Sequence, residues 1–465
     1  MIFAVVLQSS MVAAQGDWMA TSSESKRVPG APSNFDRFGH AVELTPTLMI
    51  VSAHLRDTPV KDAGGVYLFD RATGVEQTPI LLPNTGGGAA MFGEDLAASG
   101  NLLIVGAPGE DHSGDLDAGA AYVFDLTTRS LVYRLEASDA DEGDVFGMSV
   151  AIDGTTAIVG APKWEDDPAN PGLDYGAVYV FDLTTGNQTA RLEDASPTFS
   201  AQFGASVALT GSTAVVASIE GGSDDRGLVT LIDLGDESVI DELSSPDAST
   251  DAFGSDVATD GDLLVVGAEG DSRVQVDGGA AFIYELSSRN LIATLEPDLE
   301  TVAGKFGNCV RVSGWVGVGA FNGGPNPGYS GAVYLFDREG NRVLKVRPSD
   351  GSATDRFGIS FAMDVNFLMV GSDQDDDGGP NRGSVYEYPL EQVAIPVEIS
   401  GSPNTELAFA TLPEHSYEVY RTEDLSSWPL SPLAFIQGTT GDFETSWLDG
   451  SPPVSEKVFY RIEKP

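Results

Sequence analysis

The chain of 465 residues carries 70 acidic against 25 basic side chains, a formal net charge of −45, with 42% hydrophobic residues. Such an excess repels polyanions, which excludes nucleic acid and anionic membrane surfaces as partners and leaves cationic ones, divalent ions among them, with solubility in a salty medium as the plainer use of the charge. No apolar run approaches the roughly 20 residues that cross a bilayer, so no transmembrane span is expected, while the apolar content suffices for large cores.

The first residues, MIFAVVLQSSMVAAQG, set an apolar run at 2–7 ahead of the small residues Val12, Ala13 and Ala14. That is the plan of a secretory signal cleaved after Ala14, though without its basic leader. Residues 1–14 are read as a signal peptide, and the mature protein as secreted or held at the cell surface.

One unit then recurs. Phe-Gly pairs begin at Phe38, Phe92, Phe146, Phe203, Phe253, Phe306 and Phe357, spaced by 54, 54, 57, 50, 53 and 51 residues, and a period near 50 suggests propeller blades. Four residues beyond each Phe lie Val42, Leu96, Val150, Val207, Val257, Val310 and Phe361. Five beyond lie Glu43, Ala97, Ala151, Ala208, Ala258, Arg311 and Ala362, so a bulky face alternates with a mostly small one, as on a strand. Tight turns such as Asp153-Gly154 and Asp260-Gly261 follow. A second strand ends in Val105-Gly106-Ala107-Pro108 or Val159-Gly160-Ala161-Pro162, and a third opens with Gly at 64, 119, 176, 227, 279, 331 and 383, as in GAAYVFD from Gly119. Fourth strands are predicted at 77–82, 131–136, 189–193, 239–243, 291–296 and 343–347. The seventh is expected from the N-terminal side, at 17–21 with Trp18, closing the ring.

These heads, Gly-Ala-Pro segments and third strands resemble FG-GAP repeats, the bacterial relatives of the propeller at the head of integrin alpha chains. The resemblance covers about 17–389. It implies an all-β, seven-bladed β-propeller over 15–390 and a secreted or surface binding or adhesion scaffold, not an enzyme. From Glu391 the repeat stops, and residues 391–465 alternate short β-like runs with Ser, Pro and Gly-rich turns, reading as a small β-sandwich-like module for attachment, display or capping. A monomer is expected, with an extracellular protein or carbohydrate as partner.

Binding should reside on the rim that carries the long second-to-third-strand loops. The sharpest motif there is Asp373-x-Asp375-x-Asp377-Gly378, with Gly379 and Asn381 at the seventh and ninth positions of a calcium-type loop. Ser384 stands where a bidentate Glu would complete an EF-hand, and integrin-type propellers place such loops between the first and second strands, where this chain has only short turns. Calcium is the expected ion, with a merely solvated loop as the alternative. Asp111, Asp115 and Asp117, and Asp166, Asp167 and Asp174, are further acidic ligand candidates, and Trp164 and Tyr329 are aromatic ones that could equally pack against their own loops. None of His40, His54, His112 and His415 lies in an HExxH pattern, and neither a GxSxG elbow nor a P-loop occurs. The competing reading is an extracellular polysaccharide hydrolase or lyase with carboxylates gathered near the propeller axis. Lone Cys309 takes the slot of Ser149, Ser206 and Ser360 and reads as a small buried residue.

Overall fold

The computed structural model describes residues 24–390, apart from 31–32, 58–59, 84–88, 113–114, 166–172, 196–197, 223–225, 247–250, 275, 299–303 and 323–329, and beyond them six strands between 397 and 463. Residues 1–14, expected from the sequence to be a signal peptide, the segment 17–21, Asp166, Asp167, Tyr329 and His415 lie outside the described residues.

Seven four-stranded antiparallel sheets follow one another along the chain, and no helix occurs among the described residues. We number these blades by their Phe-Gly heads. In blade 3 the strands Ser149–Asp153, Thr156–Ala161, Ala177–Asp182 and Asn187–Leu192 lie side by side in chain order. The fourth strands fall within two residues of their predicted bounds, as at Ser130–Leu135 and Arg342–Val346.

The Phe-Gly head owes its residue types to backbone geometry. Val145 has φ 53° and Gly147 φ 95°, and a left-handed residue on each side brackets the Phe in all seven blades. Only Gly takes the second position without a Cβ penalty. The paired kink turns Phe146 fully inward, edge-on to Tyr179 at 5.4 Å and Phe181 at 5.9 Å, an aromatic geometry that contributes about 0.5–1.5 kcal/mol beyond burial. The head of each third strand meets the next blade at the same point. Gly119 bridges Phe146 in parallel, and a Cβ on Gly119 would overlap the Phe146 backbone. Gly160 of the Gly-Ala-Pro segment likewise leaves room for the Gly204 carbonyl of blade 4.

Seven apolar clusters result, one for each pair of adjacent blades. Val150 packs toward blade 2 and Ala151 toward blade 4, so the bulky face of one blade fills the small face of its neighbour. Cys309 is buried in the cluster between blades 6 and 7, and burial pushes its thiol up to about 12.

The ring closes from the N-terminal side, but with a different segment from the one expected. Ser25–Arg27 is the fourth strand of blade 7, pairing with Ser384–Pro389 in the register Lys26↔Tyr386. Spacing explains the correction: Leu135, Leu192, Leu295 and Val346 each end a fourth strand eleven residues before the next Phe, and Arg27 stands at the same remove from Phe38. The polar Ser-Lys-Arg run hides this strand from an apolar-pattern search. Gly383 bridges Phe38 across the closure as Gly119 bridges Phe146.

C-terminal to the propeller, Val397–Ser400, Thr405–Ala410 and Glu444–Asp449 form one three-stranded antiparallel sheet. Ser416–Thr422, flanked by Ala434–Gln437 and Phe459–Glu463, forms another.

Candidate functional site on the long-loop rim

Phe38 pairs with Ala53 at the end of the second strand, and third strands begin at the same height. The Phe-Gly heads and the long loops therefore share one rim.

In the seventh loop the carboxylates part company. Asp375 is 3% exposed and accepts hydrogen bonds from Ser384 Oγ at 2.5 Å and Tyr386 Oη at 3.1 Å. Lys26 Nζ stands 2.6 Å from the same Asp375 oxygen and 2.8 Å from Asp377. Burial alone would lower the Lys26 pKa, but the carboxylates of Asp375, Asp377 and Asp350 raise it above its ordinary value. The arrangement repeats around the ring. A third-strand Tyr, a carboxylate and a cation from the directly paired fourth-strand position meet as Tyr122, Glu110 and Arg134 in blade 2, and as Tyr334, Asp298 and Lys345 in blade 6. Asp373 turns away from this set. Gly379 and Asn381 lie in the backbone that runs beside 34–38, where Asn381 O accepts from Arg37 N at 3.3 Å and a Cβ on Gly379 would meet Asn34 and Arg382. Structure thus brings Asp375 and Asp377 together around an ammonium and separates them from Asp373.

Of the other candidates, Asp111 and Asp117 are exposed and joined by Asp117 N to Asp111 Oδ1 at 3.2 Å, with Asp115 in a short pairing with His112. His112 Nδ1 is 2.9 Å from Glu136. Asp174, with φ 43°, offers its carbonyl to Gln202 N. Trp164 is 5% exposed inside the blade 2–3 cluster, with the Arg191 guanidinium 4.5 Å from its ring centre.

A second polar node lies where blades 7, 1 and 2 meet. Asp373, fully buried, accepts or pairs with His40 Nδ1 at 3.2 Å, Arg356 at 3.3 Å and Arg37 at 3.7 Å. His40 Nε2 is 3.4 Å from Glu94 Oε1, and its ring lies 3.6 Å from that of His54, tilted by 36°. Burial would lower the His40 pKa, yet Glu94 and Asp373 raise it to about 9. His54 is held well below the usual range by burial, then by His40, Arg37 and Arg356. Sequence reasoning noticed both histidines singly. The signal that joins them is positional: His54 and Asp373 take the Pro slot of Gly-Ala-Pro in blades 1 and 7, and His40 and Glu94 take the first place after Phe-Gly in blades 1 and 2.

The family model for the FG-GAP repeat matches residues 21–69, 75–124, 130–181, 242–284 and 341–388, slightly more than half of the chain. The chain belongs to the FG-GAP repeat family. Comparison with curated proteins gives no match. Each matched segment pairs a fourth strand with the next three strands, so the first of them spans the closing strand and the start of blade 1. Blades 4 and 6 fall between the matches and are nonetheless complete four-stranded blades, with the Phe-Gly strands Phe203–Thr210 and Phe306–Ser313 at their heads.

At the axis this FG-GAP ring carries Glu43, Asp95, Asp256 and Arg311. Asp95 accepts from Val150 N at 2.7 Å, and Asp256 from Val310 N at 2.8 Å and from Arg311 at 2.9 Å. Each aspartate therefore serves an amide of the next blade's first strand, an edge strand with no strand partner on that side. Burial raises Asp95 to about 6 and Glu43 to about 7, with Arg311 pulling both down. Large apolar side chains stand out on the long-loop rim: Phe35 is 55% exposed, Leu116 55%, Phe199 67% and Val276 74%.

Proposed function

We propose that this FG-GAP protein is a secreted or cell-surface binding scaffold that engages an extracellular protein or carbohydrate through its long-loop rim. One observation carries the reading: Phe35, Leu116, Phe199 and Val276 project from a rim that also exposes Asp57, Asp111, Asp117, Glu220, Asp277, Asp376 and Asp377. Exposed apolar anchors ringed by charge are the composition of a contact surface, and rigid blades remove the ordering cost of presenting it. Cationic patches on the partner match the carboxylates. Adhesion is the role proposed for such contacts, with the C-terminal sheets, arranged as a sandwich-like module, serving attachment.

Calcium enters the proposal as an ion that would replace Lys26 Nζ between Asp375 and Asp377, so calcium dependence and Lys26 pairing exclude each other at that point. The polysaccharide hydrolase or lyase reading would rest on Glu43, Asp95 and Asp256 at the axis, and is disfavoured by the bonding of both aspartates to backbone amides.

The test is binding to a panel of extracellular polysaccharides and matrix proteins, comparing the full chain with a Phe35→Ser, Leu116→Ser, Phe199→Ser, Val276→Ser variant. Loss of binding with an unchanged melting temperature supports the rim. Retained binding, or release of reducing ends from a polysaccharide, overturns it.

A further inference from the structure

The node between blades 7, 1 and 2 departs from the plan of the other blades in a way that packing does not require. Where blade 1 has His40, blades 3, 4 and 7 carry Met148, Ala205 and Ile359, and where it has His54, blades 2 and 3 carry Pro108 and Pro162. His54 is 5% exposed, and its Nδ1 has no hydrogen-bond partner among the described residues. Its Nε2 stands 4.0 Å from Glu94 Oε2, beyond hydrogen-bond reach. A buried polar group left in that state costs about 1–3 kcal/mol, which a proline in the same slot avoids. Imidazole lone pairs so placed are what a cation with nitrogen affinity would use.

Three donors converge. One atom each of His40, His54 and Glu94 lies within 4.8 Å of the others, and the His40 Nε2 to Glu94 Oε1 distance of 3.4 Å already matches the separation of about 3.3 Å between donors that share an ion with bonds of about 2.0–2.1 Å. Asp373 holds the opposite nitrogen, Nδ1, at 3.2 Å, so Nε2 is the atom turned to the site; a carboxylate behind a ligating imidazole is the usual means of fixing its ring. Glu94 and His40 side chains are 16% and 17% exposed, which leaves a path from solvent and an open position. Arg37 and Arg356 oppose a dication, but both face Asp373 and are neutralised in part by it.

We propose that His40, His54 and Glu94 form a binding site for a first-row divalent transition-metal ion of the zinc class, with Asp373 as the residue that orients His40. Two nitrogens in three donors select against calcium and magnesium, so this site is separate in chemistry and place from Asp375 and Asp377, and it stands whether or not the rim binds a partner. Because the donors come from blades 1 and 2 and the orienting carboxylate from blade 7, a bound ion would also brace the closing seam.

The test uses the untagged full chain, stripped with chelator and kept in excess magnesium so that exposed carboxylates are occupied. Zinc is titrated calorimetrically and cobalt(II) by its visible bands. Uptake of a single equivalent, displacement of cobalt by zinc and a zinc-dependent rise in melting temperature are expected. Glu94→Gln and His54→Ala should each weaken binding about tenfold or more, and Asp373→Asn by about 10–100-fold. Asp373 also holds two arginines, so Glu94→Gln, nearly isosteric and partly exposed, is the deciding variant, with its own melt as the check on folding. No saturable uptake, or uptake undiminished in both Glu94→Gln and His54→Ala, would overturn the site.

Discussion

Blade 3 and blade 7 follow one plan and are held in different ways. Blade 3 is a continuous meander, its fourth strand Asn187–Leu192 tied to the third by a short turn. Blade 7 takes its fourth strand from the other end of the chain, and that strand has three residues where blade 3 has six. Side chains make up the difference: Lys26 binds Asp350, Asp375 and Asp377, while Arg27 binds Glu387 and the Gly74 carbonyl and covers the Phe69 ring. Where connectivity cannot hold a strand, charge does, and the loop carboxylates that look like ion ligands in the sequence sit where this work is needed.

The backbone seam offers the largest test of whether closure is as tight as an internal junction. Gly383 has φ 78° and Gly119 φ 87°, and an added Cβ would overlap the backbone of Phe38 or Phe146 respectively. Gly383→Ala and Gly119→Ala should each cost on the order of 3–5 kcal/mol, from left-handed strain together with overlap, read by denaturant unfolding. A clearly smaller loss at Gly383 would mean that the closing junction relaxes where the internal one cannot.

The cations give the next largest effect. Lys26→Ala strands Asp375, 3% exposed, and Arg134→Ala strands Glu110, 1% exposed. Each should lower stability by about 2–4 kcal/mol, below the full cost of breaking a buried pair because the cation ends are partly solvated. Removing residues 1–23 should leave the melting temperature in place, and removing 1–27 should lower it by at least as much as Lys26→Ala does. If Lys26→Ala creates calcium binding with recovered stability, the ammonium holds a latent cation position; if calcium does nothing, Asp375 is purely a partner for Tyr386 and Lys26.

What the sequence disclosed follows from this contrast. Repeated features forced by the backbone, such as the kinked Phe-Gly head and the glycines that meet the next blade, recur at fixed spacing and were readable in all seven blades, including blades 4 and 6. The closing strand was misplaced because Ser25, Lys26 and Arg27 lack any apolar pattern, although their distance from Phe38 pointed to them. His40 and His54 were visible as odd residues in known slots, but their meeting with Glu94 and Asp373 depends on the ring bringing blade 7 beside blade 1. The exposed Phe35, Leu116, Phe199 and Val276 were silent, since a single apolar residue in a loop carries no periodicity.

The smallest expected effect separates the axis from both seams. Glu43 shares its slot with alanines in five other blades, and burial raises its carboxyl from the ordinary 4.5 to about 7, against the pull of Arg311 and with the charge of Asp95 adding to the rise. A carboxyl with a raised folded pKa binds its proton more tightly in the folded state, so its stabilising contribution is complete below about pH 4.5 and is lost as pH rises through about 7. Glu43→Gln should therefore flatten the stability profile between those limits. The variant should gain on the order of 1 kcal/mol over the parent at pH 8 and nothing at pH 4, the figure being discounted for the side chain's partial exposure. Arg311 limits the gain, because the variant removes one of its anionic neighbours while Asp256 at 2.9 Å remains. A loss of stability at pH 8 would show that the Arg311 pairing outweighs desolvation of Glu43, making the axis, like the closing seam, a place held by charge.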